Sequence, residues 1–170
     1  MRLALLLALC LCLLAGVQPV VAAPAMAGVR RSEPITIKSD ELLTDSNTRT
    51  ATFSGKVVAR QGDITIYADR LIVVYAAKEQ EVETVEALGN VRIVQGTRTA
   101  QGGRATYDNR AGTITLEQNP KVQQGNDVVS GKVITYFVDE ERSVVTSGPG
   151  QRVEATITPR EKVKEPGGRR

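Results

Sequence analysis

The acidic side chains are the residues of this sequence that could support chemistry. Asp69 closes the segment GKVVARQGDITIYADRL (55–71), and Asp40 stands in a similar place in ITIKSDEL (35–42). Asp69 could act as a general base, as a metal ligand or as a backbone corner. The sequence has no histidine, and both of its cysteines lie in the apolar N-terminal run. Histidine triads, thiolate nucleophiles and Cys/His zinc sites are therefore excluded from the mature chain, which leaves carboxylate pairs or a Ser/Lys dyad.

The other acids form no constellation that would suit catalysis. They stand in the polar segment 79–86 or at predicted turns, where carboxylates are ordinarily solvated, as at Asp45, Asp108, Asp139, Glu140 and Glu141. The glycine clusters QGGRA and SGPGQ have no helix after them, so they do not indicate a nucleotide-binding loop. No D-x-D-x-D-G loop is present, although scattered turn carboxylates leave calcium binding open. The sequence predicts no enzyme, no metal site and no cofactor.

The N-terminus has the pattern of a secretory signal peptide. A short positive start, Met1-Arg2, precedes an apolar run from Leu3 to Gly16, and small residues follow. Proline at position 24 disfavours cleavage after Ala23, so we predict a signal peptide over 1–27. The apolar run is shorter than the roughly 20 residues of a membrane span. An exported chain without cysteine in its mature part is expected in the periplasm.

Charge distinguishes the body of the chain from its end. Residues 28–159 carry 16 Lys and Arg against 17 Asp and Glu, whereas residues 160–170 carry five basic and two acidic side chains. The terminal segment REKVKEPGGRR is almost free of apolar residues, which predicts a disordered basic tail, with docking to an anionic partner as the alternative. Scattered arginines, no tryptophan and an export signal argue against nucleic-acid binding.

The elements that must position these residues are β-strands. Short runs rich in Val, Ile and Thr alternate apolar and polar residues between Ile35 and Ile157, and Gly, Asn, Asp and Pro clusters separate them. ITIYADRLIVVY, for example, places Ile64, Ile66 and Ala68 on one face. The segment 76–87 also fits a three-turn helix, but its alternation favours a long polar loop that leads into a strand.

The chain repeats itself about every thirty residues. Each of four segments contains a corner, a strand, a polar turn, a second strand and a Gly or Pro break before a valine. The corners at Asp40, Asp69, Gly103 and Gly131 are 29, 34 and 28 residues apart. This spacing predicts one domain over 28–159, an all-β fold of about four stacked coils of antiparallel strands. Asp69 shares its place with glycines, which favours a corner over a catalytic role.

A stack of coils has two ends whose edge strands lack neighbours. We expect them at Ile35–Ile37 and at Gln151–Ile157, where they could pair with another copy or another protein. The inward positions are mostly Val, Ile, Ala, Leu and Thr, with few aromatic residues. Such an interior could be a filled core or a groove for apolar chains, and composition does not decide between them.

Several phrases resemble the OstA-like family of periplasmic lipopolysaccharide-transport proteins. They are ITIKSDEL, FSGKVVARQGDITIYADRL, GNVRI and SGKVITYFVDEERSVVTSG, and the similarity covers about Ile35 to Ile157. The resemblance implies an open, slightly twisted antiparallel β-jellyroll and no enzymatic activity. It implies lipopolysaccharide as the ligand, with its acyl chains in an apolar groove. It also implies head-to-tail homo-oligomers that bridge an LptC-like inner-membrane protein and an LptD-like outer-membrane protein.

Carried over to matching positions, the resemblance assigns two sets of residues. The lipid-binding groove would be lined by Ile35, Ile37, Phe53, Ile64, Ile66, Val73, Ile93, Tyr107, Leu116 and Tyr136. The edge strands used for association would contain Ile35, Thr36, Ile37, Val153, Ala155 and Ile157. Two alternatives remain: a self-associating β scaffold or adaptor without a lipid ligand, and a carbohydrate-active β-solenoid enzyme with acids clustered on one coil face.

Overall fold

The computed structural model describes residues 34–77 and 81–159, and these residues form twelve β-strands and no helix. The predicted signal peptide and basic tail lie outside the described residues. The strands are β1 (Thr36–Lys38), β2 (Glu41–Asp45), β3 (Thr50–Gln61), β4 (Ile64–Tyr75), β5 (Val82–Gln95), β6 (Arg98–Asp108), β7 (Thr113–Glu117), β8 (Lys121–Gln124), β9 (Asp127–Ser130), β10 (Val133–Phe137), β11 (Arg142–Thr146) and β12 (Glu154–Thr156).

All described strand pairs are antiparallel and form one branched sheet. The main path runs β1-β3-β4-β5-β6-β7-β10-β11; β2 also pairs with β3, β8 with β6, β9 with β8, and β12 with β9. The four long strands β3 to β6 shift register in their middles, between Ser54 and Val57 in β3 for instance. Each long strand therefore contributes to two half-sheets.

We name the half-sheets by their residues. The first half-sheet contains 50–54, 70–75, 82–88 and 104–108 of the long strands, with β2, β7, β10 and β11. The second half-sheet contains 57–61, 64–67, 91–95 and 98–101, with β1, β8, β9 and β12. The all-β, open jellyroll predicted for the chain is confirmed.

The bends between the half-sheets carry the predicted corners. Gly89 and Asn90 have φ values of 74° and 46°, a left-handed pair that most residues adopt at a cost. The side-chain amide of Asn90, through its Nδ2, donates a hydrogen bond to Asp69 Oδ2 over 2.8 Å. A β-carbon on Gly89 would collide with that same carboxylate. One coil earlier, the Asp40 amide donates to the carbonyl of Gly55 over 3.0 Å.

The interior is a single apolar cluster that draws on both half-sheets. Leu71 of the first half-sheet and Val91 of the second are 1% and 2% exposed. Apolar side chains alternate with polar ones along the strands, and nine of the twelve strands, all except β2, β9 and β12, turn one face to this cluster. The seventeen buried members are Ala51, Val57, Ala59, Ile64, Ala68, Leu71, Val73, Ala87, Val91, Ile93, Ala100, Ala105, Leu116, Val122, Ile134, Tyr136 and Val138.

Two strand boundaries differ from the expectations. The segment 76–87 is not mainly loop, because β5 already begins at Val82 and pairs with Tyr75. The last strand is shorter than Gln151–Ile157, since β12 contains only Glu154–Thr156. Ile35, Val153 and Ile157 therefore flank edge strands and do not lie within them. Gly148 and Gln151 pair with each other instead, which takes 148–151 out of the last strand.

Candidate functional site

Cross-strand pairs align the inward side chains of the first half-sheet into two rows, because directly opposed residues share a face. The row near the bends runs Leu42, Phe53, Leu71, Ala87, Ala105, Leu116, Ile134, Val145. The row nearer the turns runs Ala51, Val73, Val85, Tyr107, Ile114, Tyr136, Ser143. Both rows run across the strands, along the axis of the stack.

The second half-sheet presents a matching apolar row. It runs Ile37, Ala59, Ile66, Ile93, Ala100, Val122, Val129, Ala155, from β1 to β12. Eight strands at about 4.8 Å spacing make this row roughly 34 Å long. An apolar chain laid along the axis would meet hydrocarbon side chains over that whole length.

Nine of the ten residues predicted to line a groove belong to the interior. Five of them are buried: Ile64, Val73, Ile93, Leu116 and Tyr136. Four are partly buried and pack against the cluster: Ile37, Phe53, Ile66 and Tyr107. The tenth, Ile35, precedes β1 and is 50% exposed, outside the cluster. The partly buried members are the part of the interior that a ligand could reach from solvent.

A polar row that the sequence pattern did not reveal borders the apolar row of the second half-sheet. It runs Gln61, Ile64, Gln95, Arg98, Gln124, Asp127, beside the turns. A solvent-open cavity of about 250 Å³ is lined there by Asp63, Gln95, Gly96, Thr97, Arg98 and Gln124. We call the side of the interior opposite the bends, between the turns of the two half-sheets, the mouth. In sequence these residues are ordinary hairpin ends, and no local signal relates them to one another.

A charged side chain of the second half-sheet acts across the mouth on a tyrosine of the first. Burial raises the pKa of the Tyr136 hydroxyl, the carboxylate of Glu141 raises it further, and the positive charge of Arg98 lowers it. Tyr136 belongs to the first half-sheet and Arg98 to the second. The polar row of the second half-sheet therefore lies within electrostatic reach of the first.

Two of the acids at predicted turns, Asp45 and Asp108, accept backbone hydrogen bonds within those turns. The amides of Asn47 and Thr48 donate to Asp45 Oδ1, and the first of these bonds, 2.8 Å long, is the main cause of the lowered pKa of that carboxyl. The Ala111 amide donates to Asp108 Oδ1 over 2.9 Å. Among residues 34–77 and 81–159, no three His, Cys, Asp or Glu side chains are grouped so that they could hold a metal ion.

Both ends of the stack expose apolar side chains beside free strand edges. In the described strands, β1 and β2 pair only with β3, β11 only with β10, and β12 only with β9. The sequence pattern predicted the free edges of β1 and β12 and did not reveal those of β2 and β11. The large apolar residues exposed near these edges are Ile35, Leu42, Leu43, Val144, Val153 and Ile157. In the described part of the chain, no helix has the length and apolar character to span a membrane.

Comparison with known proteins agrees with this architecture. The family model described as LptA/(LptD N-terminal domain) LPS transport protein matches residues 36–142. The lipopolysaccharide export system protein LptA of Escherichia coli is 30% identical over 133 residues, which cover 75% of this chain and 72% of that protein. LptA of Haemophilus influenzae is 30% identical over 139 residues, covering 75% and 78%.

A solved structure shares the fold. The crystal structure of LptH, the LptA-homologous periplasmic component of the lipopolysaccharide transport device of Pseudomonas aeruginosa, superposes with a TM-score of 0.68 at 20% identity. The match covers 77% of this chain and 99% of that one. The resemblance read from the sequence phrases is confirmed. This chain belongs to the LptA/LptD N-terminal-domain family of lipopolysaccharide transport proteins.

Proposed function

We propose that this protein binds lipopolysaccharide in the periplasm and carries its acyl chains along the apolar interior of the jellyroll, without enzymatic activity. The observation that carries the proposal is the apolar row from Ile37 to Ala155, which crosses eight strands without a polar member. Each buried CH₂ group of an acyl chain contributes about 0.8 kcal/mol to binding. The names of the relatives, which are lipopolysaccharide export proteins, support the same ligand.

The protein would form a bridge by head-to-tail association. The free edges of β1 and β2 lie at one end of the stack, and those of β11 and β12 lie at the other. Pairing one end with the opposite end of the next copy is a heterologous contact, which extends the stack and does not close it. The apolar rows of successive copies would then form one continuous path between the two membranes.

The same edges would receive the partners at either end of the bridge. An LptC-like protein at the inner membrane and an LptD-like protein at the outer membrane would each add a strand to one end by β-augmentation. The family description groups LptA with the N-terminal domain of LptD. A partner with the same fold could therefore pair its edge strand with one end of this stack, as another copy would. Association through edges would also serve a scaffold without lipid, so lipid binding must be tested directly.

The test places a photo-crosslinking amino acid at Ile37, which faces the interior, and at Lys38, the adjacent exposed residue of β1. We expect lipopolysaccharide to be captured in cells at Ile37 and not at Lys38. Ile37→Glu should weaken lipopolysaccharide binding at least tenfold, since a buried charge costs several kcal/mol near acyl chains. Thr36→Glu is the matched control, because it adds the same single charge at an exposed, outward position of the same strand. Capture confined to Lys38, or equal binding by both Glu variants, would exclude the groove.

A further inference from the structure

On the second half-sheet, the inward side chains change from apolar to polar between one inward position of each strand and the next one toward the mouth. Ile66, Ile93 and Ala100 belong to the apolar row, and two residues further along the same strands lie Ile64, Gln95 and Arg98. Five of the six residues of this outer row are polar: Gln61, Gln95, Arg98, Gln124 and Asp127. A polar row beside an apolar row is the arrangement that an amphiphilic ligand requires.

The polar lip consists of Gln61, Asp63, Gln95, Thr97, Arg98 and Gln124. Strand pairing places Gln95, Arg98 and Gln124 on neighbouring strands, with Asp63 and Thr97 in the adjoining turns. Gln95 is 6% exposed, and its Nε2 donates a hydrogen bond to Asp63 Oδ2 over 3.2 Å. The lip offers both donors and acceptors through its amides and its hydroxyl, acceptors alone through its carboxylate, and donors alone through its guanidinium.

The size of the cavity limits what it can accept. Its volume of about 250 Å³ is below the roughly 300–1,000 Å³ of pockets that enclose a drug-sized ligand. One sugar ring or one phosphate group would fit this space. Mixed donors and acceptors suit sugar hydroxyls, and a guanidinium suits phosphate because of its fork of N–H groups.

The facing side of the mouth is aromatic. Tyr107 and Tyr136 belong to one inward row of the first half-sheet, and Tyr75 ends β4 beside the same turns. The hydroxyl of Tyr107 donates to Asn109 Oδ1 over 2.9 Å, so its ring is held at the mouth. Tyrosine joins an apolar ring to a polar group, which suits the boundary between an acyl chain and a sugar.

We infer that the polar lip binds the saccharide head of the lipid, through the hydroxyl and phosphate groups of the sugar nearest the acyl chains. The chains lie on the apolar rows while Arg98, Gln95 and Gln124 contact the sugar at the mouth. This inference rests on the proposed function. It assigns the orientation of the ligand, with its head at the turns of the second half-sheet.

The experiment measures binding of the mature protein to three probes: purified lipopolysaccharide, the deacylated saccharide prepared from it, and a fatty acid. The lip variant Arg98→Gln with Gln124→Ala is compared with Arg92→Gln and Gln123→Ala, which remove the same groups from exposed positions on the same half-sheet. Thr97→Glu, at an exposed turn position, adds a negative charge to the lip without changing the strands. Thermal unfolding of each variant verifies that it is folded.

We expect the lip variant to bind lipopolysaccharide about tenfold more weakly than the control pair, which corresponds to about 1.4 kcal/mol. Thr97→Glu should weaken binding in the same direction because it repels phosphate. The deacylated saccharide should bind the wild type and lose affinity in the lip variant, whereas fatty-acid binding should not change.

Equal lipopolysaccharide affinity in the lip and control variants overturns the inference. If Ile37→Glu still weakens binding in that case, the proposed function stands without it. Absence of lipopolysaccharide binding by the wild type removes both. A lip variant that loses self-association but keeps its lipid affinity assigns the lip to a protein contact and also overturns the inference.

Discussion

At the scale of single residues, the conformation of the backbone explains why an aspartate, Asp69, stands at a position that first suggested catalysis. Asp69 stands at a bend, accepts a hydrogen bond from the side-chain amide of Asn90 over 2.8 Å, and packs against Gly89. Asp40 packs against Gly55 in the same way one coil earlier. An acid that repeats with the bends and faces a glycine each time has a role in the bend, because catalysis would not require the repetition.

Gly89→Ala tests this role. Its φ of 74° and the nearby Asp69 carboxylate both oppose a β-carbon, so we expect a loss of about 2 kcal/mol or more in the free energy of unfolding. Gly96→Ala is the control, since its φ is 55° but no atom lies within 4 Å of the place that a methyl group would take; it should cost about 1 kcal/mol. Urea denaturation measures both. Equal losses would show that the Asp69 contact is unimportant, and partial rescue by Asp69→Ala would support it.

Tyr136 predicts a dependence of stability on alkaline pH. Burial raises its pKa in the folded state, whereas the unfolded side chain titrates near pH 10. The stabilisation is therefore fully present below about pH 10 and is lost as pH rises through the folded pKa. We expect Tyr136→Phe to flatten the decline in stability above about pH 10, relative to wild type. An unchanged slope of the free energy of unfolding against pH would contradict this.

At the scale of elements, alternation predicted the strands and the bends but not their partners. The inward faces of β3 and β4 follow directly from the positions of Ala51, Phe53, Ile64 and Ile66, because side chains alternate along a strand. The short β12 was not predictable, since the pattern 151–157 alternates well and gives no sign that only Glu154–Thr156 reach β9. The sequence did not reveal the free edges of β2 and β11, because whether a strand lies at an edge depends on which other strands pair with it.

Substitutions on the edge strands β2 and β11 should weaken self-association without weakening the fold. Leu43 and Val144 lie on one outward row at opposite ends of the stack and are 64% and 36% exposed. Leu43→Lys and Val144→Lys should each raise the concentration needed for self-association, because a charge on an edge disfavours strand addition. Thermal stability should change little at such exposed positions.

Thr115→Lys is the matched control, since Thr115 lies on the same outward row but in β7, which has neighbours on both sides. Sedimentation velocity at rising concentration measures the effect. If all three lysine variants associate as the wild type does, β2 and β11 take no part in the contact between copies.

At the scale of the whole molecule, charge is distributed unevenly around the jellyroll. Exposed basic side chains lie on the outer face of the second half-sheet, at Lys38, Arg60, Arg92 and Lys121. On the first half-sheet, Arg104 forms ion pairs with Glu86 and with Glu117, the latter over 3.6 Å. Such a distribution favours the approach of an anionic ligand more than it contributes to stability.

The C-terminal segment should add to this attraction. Residues 28–159 have 16 basic and 17 acidic side chains, a formal charge of −1, and residues 160–170 bring the mature chain to +2. We expect deletion of 160–170 to weaken binding of anionic lipopolysaccharide at low ionic strength, and to have little effect near 1 M salt, where the Debye length is about 3 Å. An unchanged melting temperature would place the effect on binding and not on folding. A loss of affinity independent of salt would contradict an electrostatic role.

The sequence by itself determined the strands, the face that each strand turns inward, the turns and the repeat of about thirty residues. These features are local, because they depend on alternation and on turn residues within a few positions of one another. It also carried the phrases that identify the family. The family resemblance, and not the alternation, assigned ten residues to a groove, and nine of them lie in the apolar cluster or pack against it.

The tertiary structure decided which of these inward residues meet. Gln61, Gln95, Arg98 and Gln124 lie on four different strands and become one polar row only because five strands, β3 to β6 and β8, pair in a particular register. The bends then bring Arg98 of that row within electrostatic reach of Tyr136 in the other half-sheet. Register and bending are sums of many weak pair contacts over the whole sheet, so no single segment of the sequence contains the mouth of the interior.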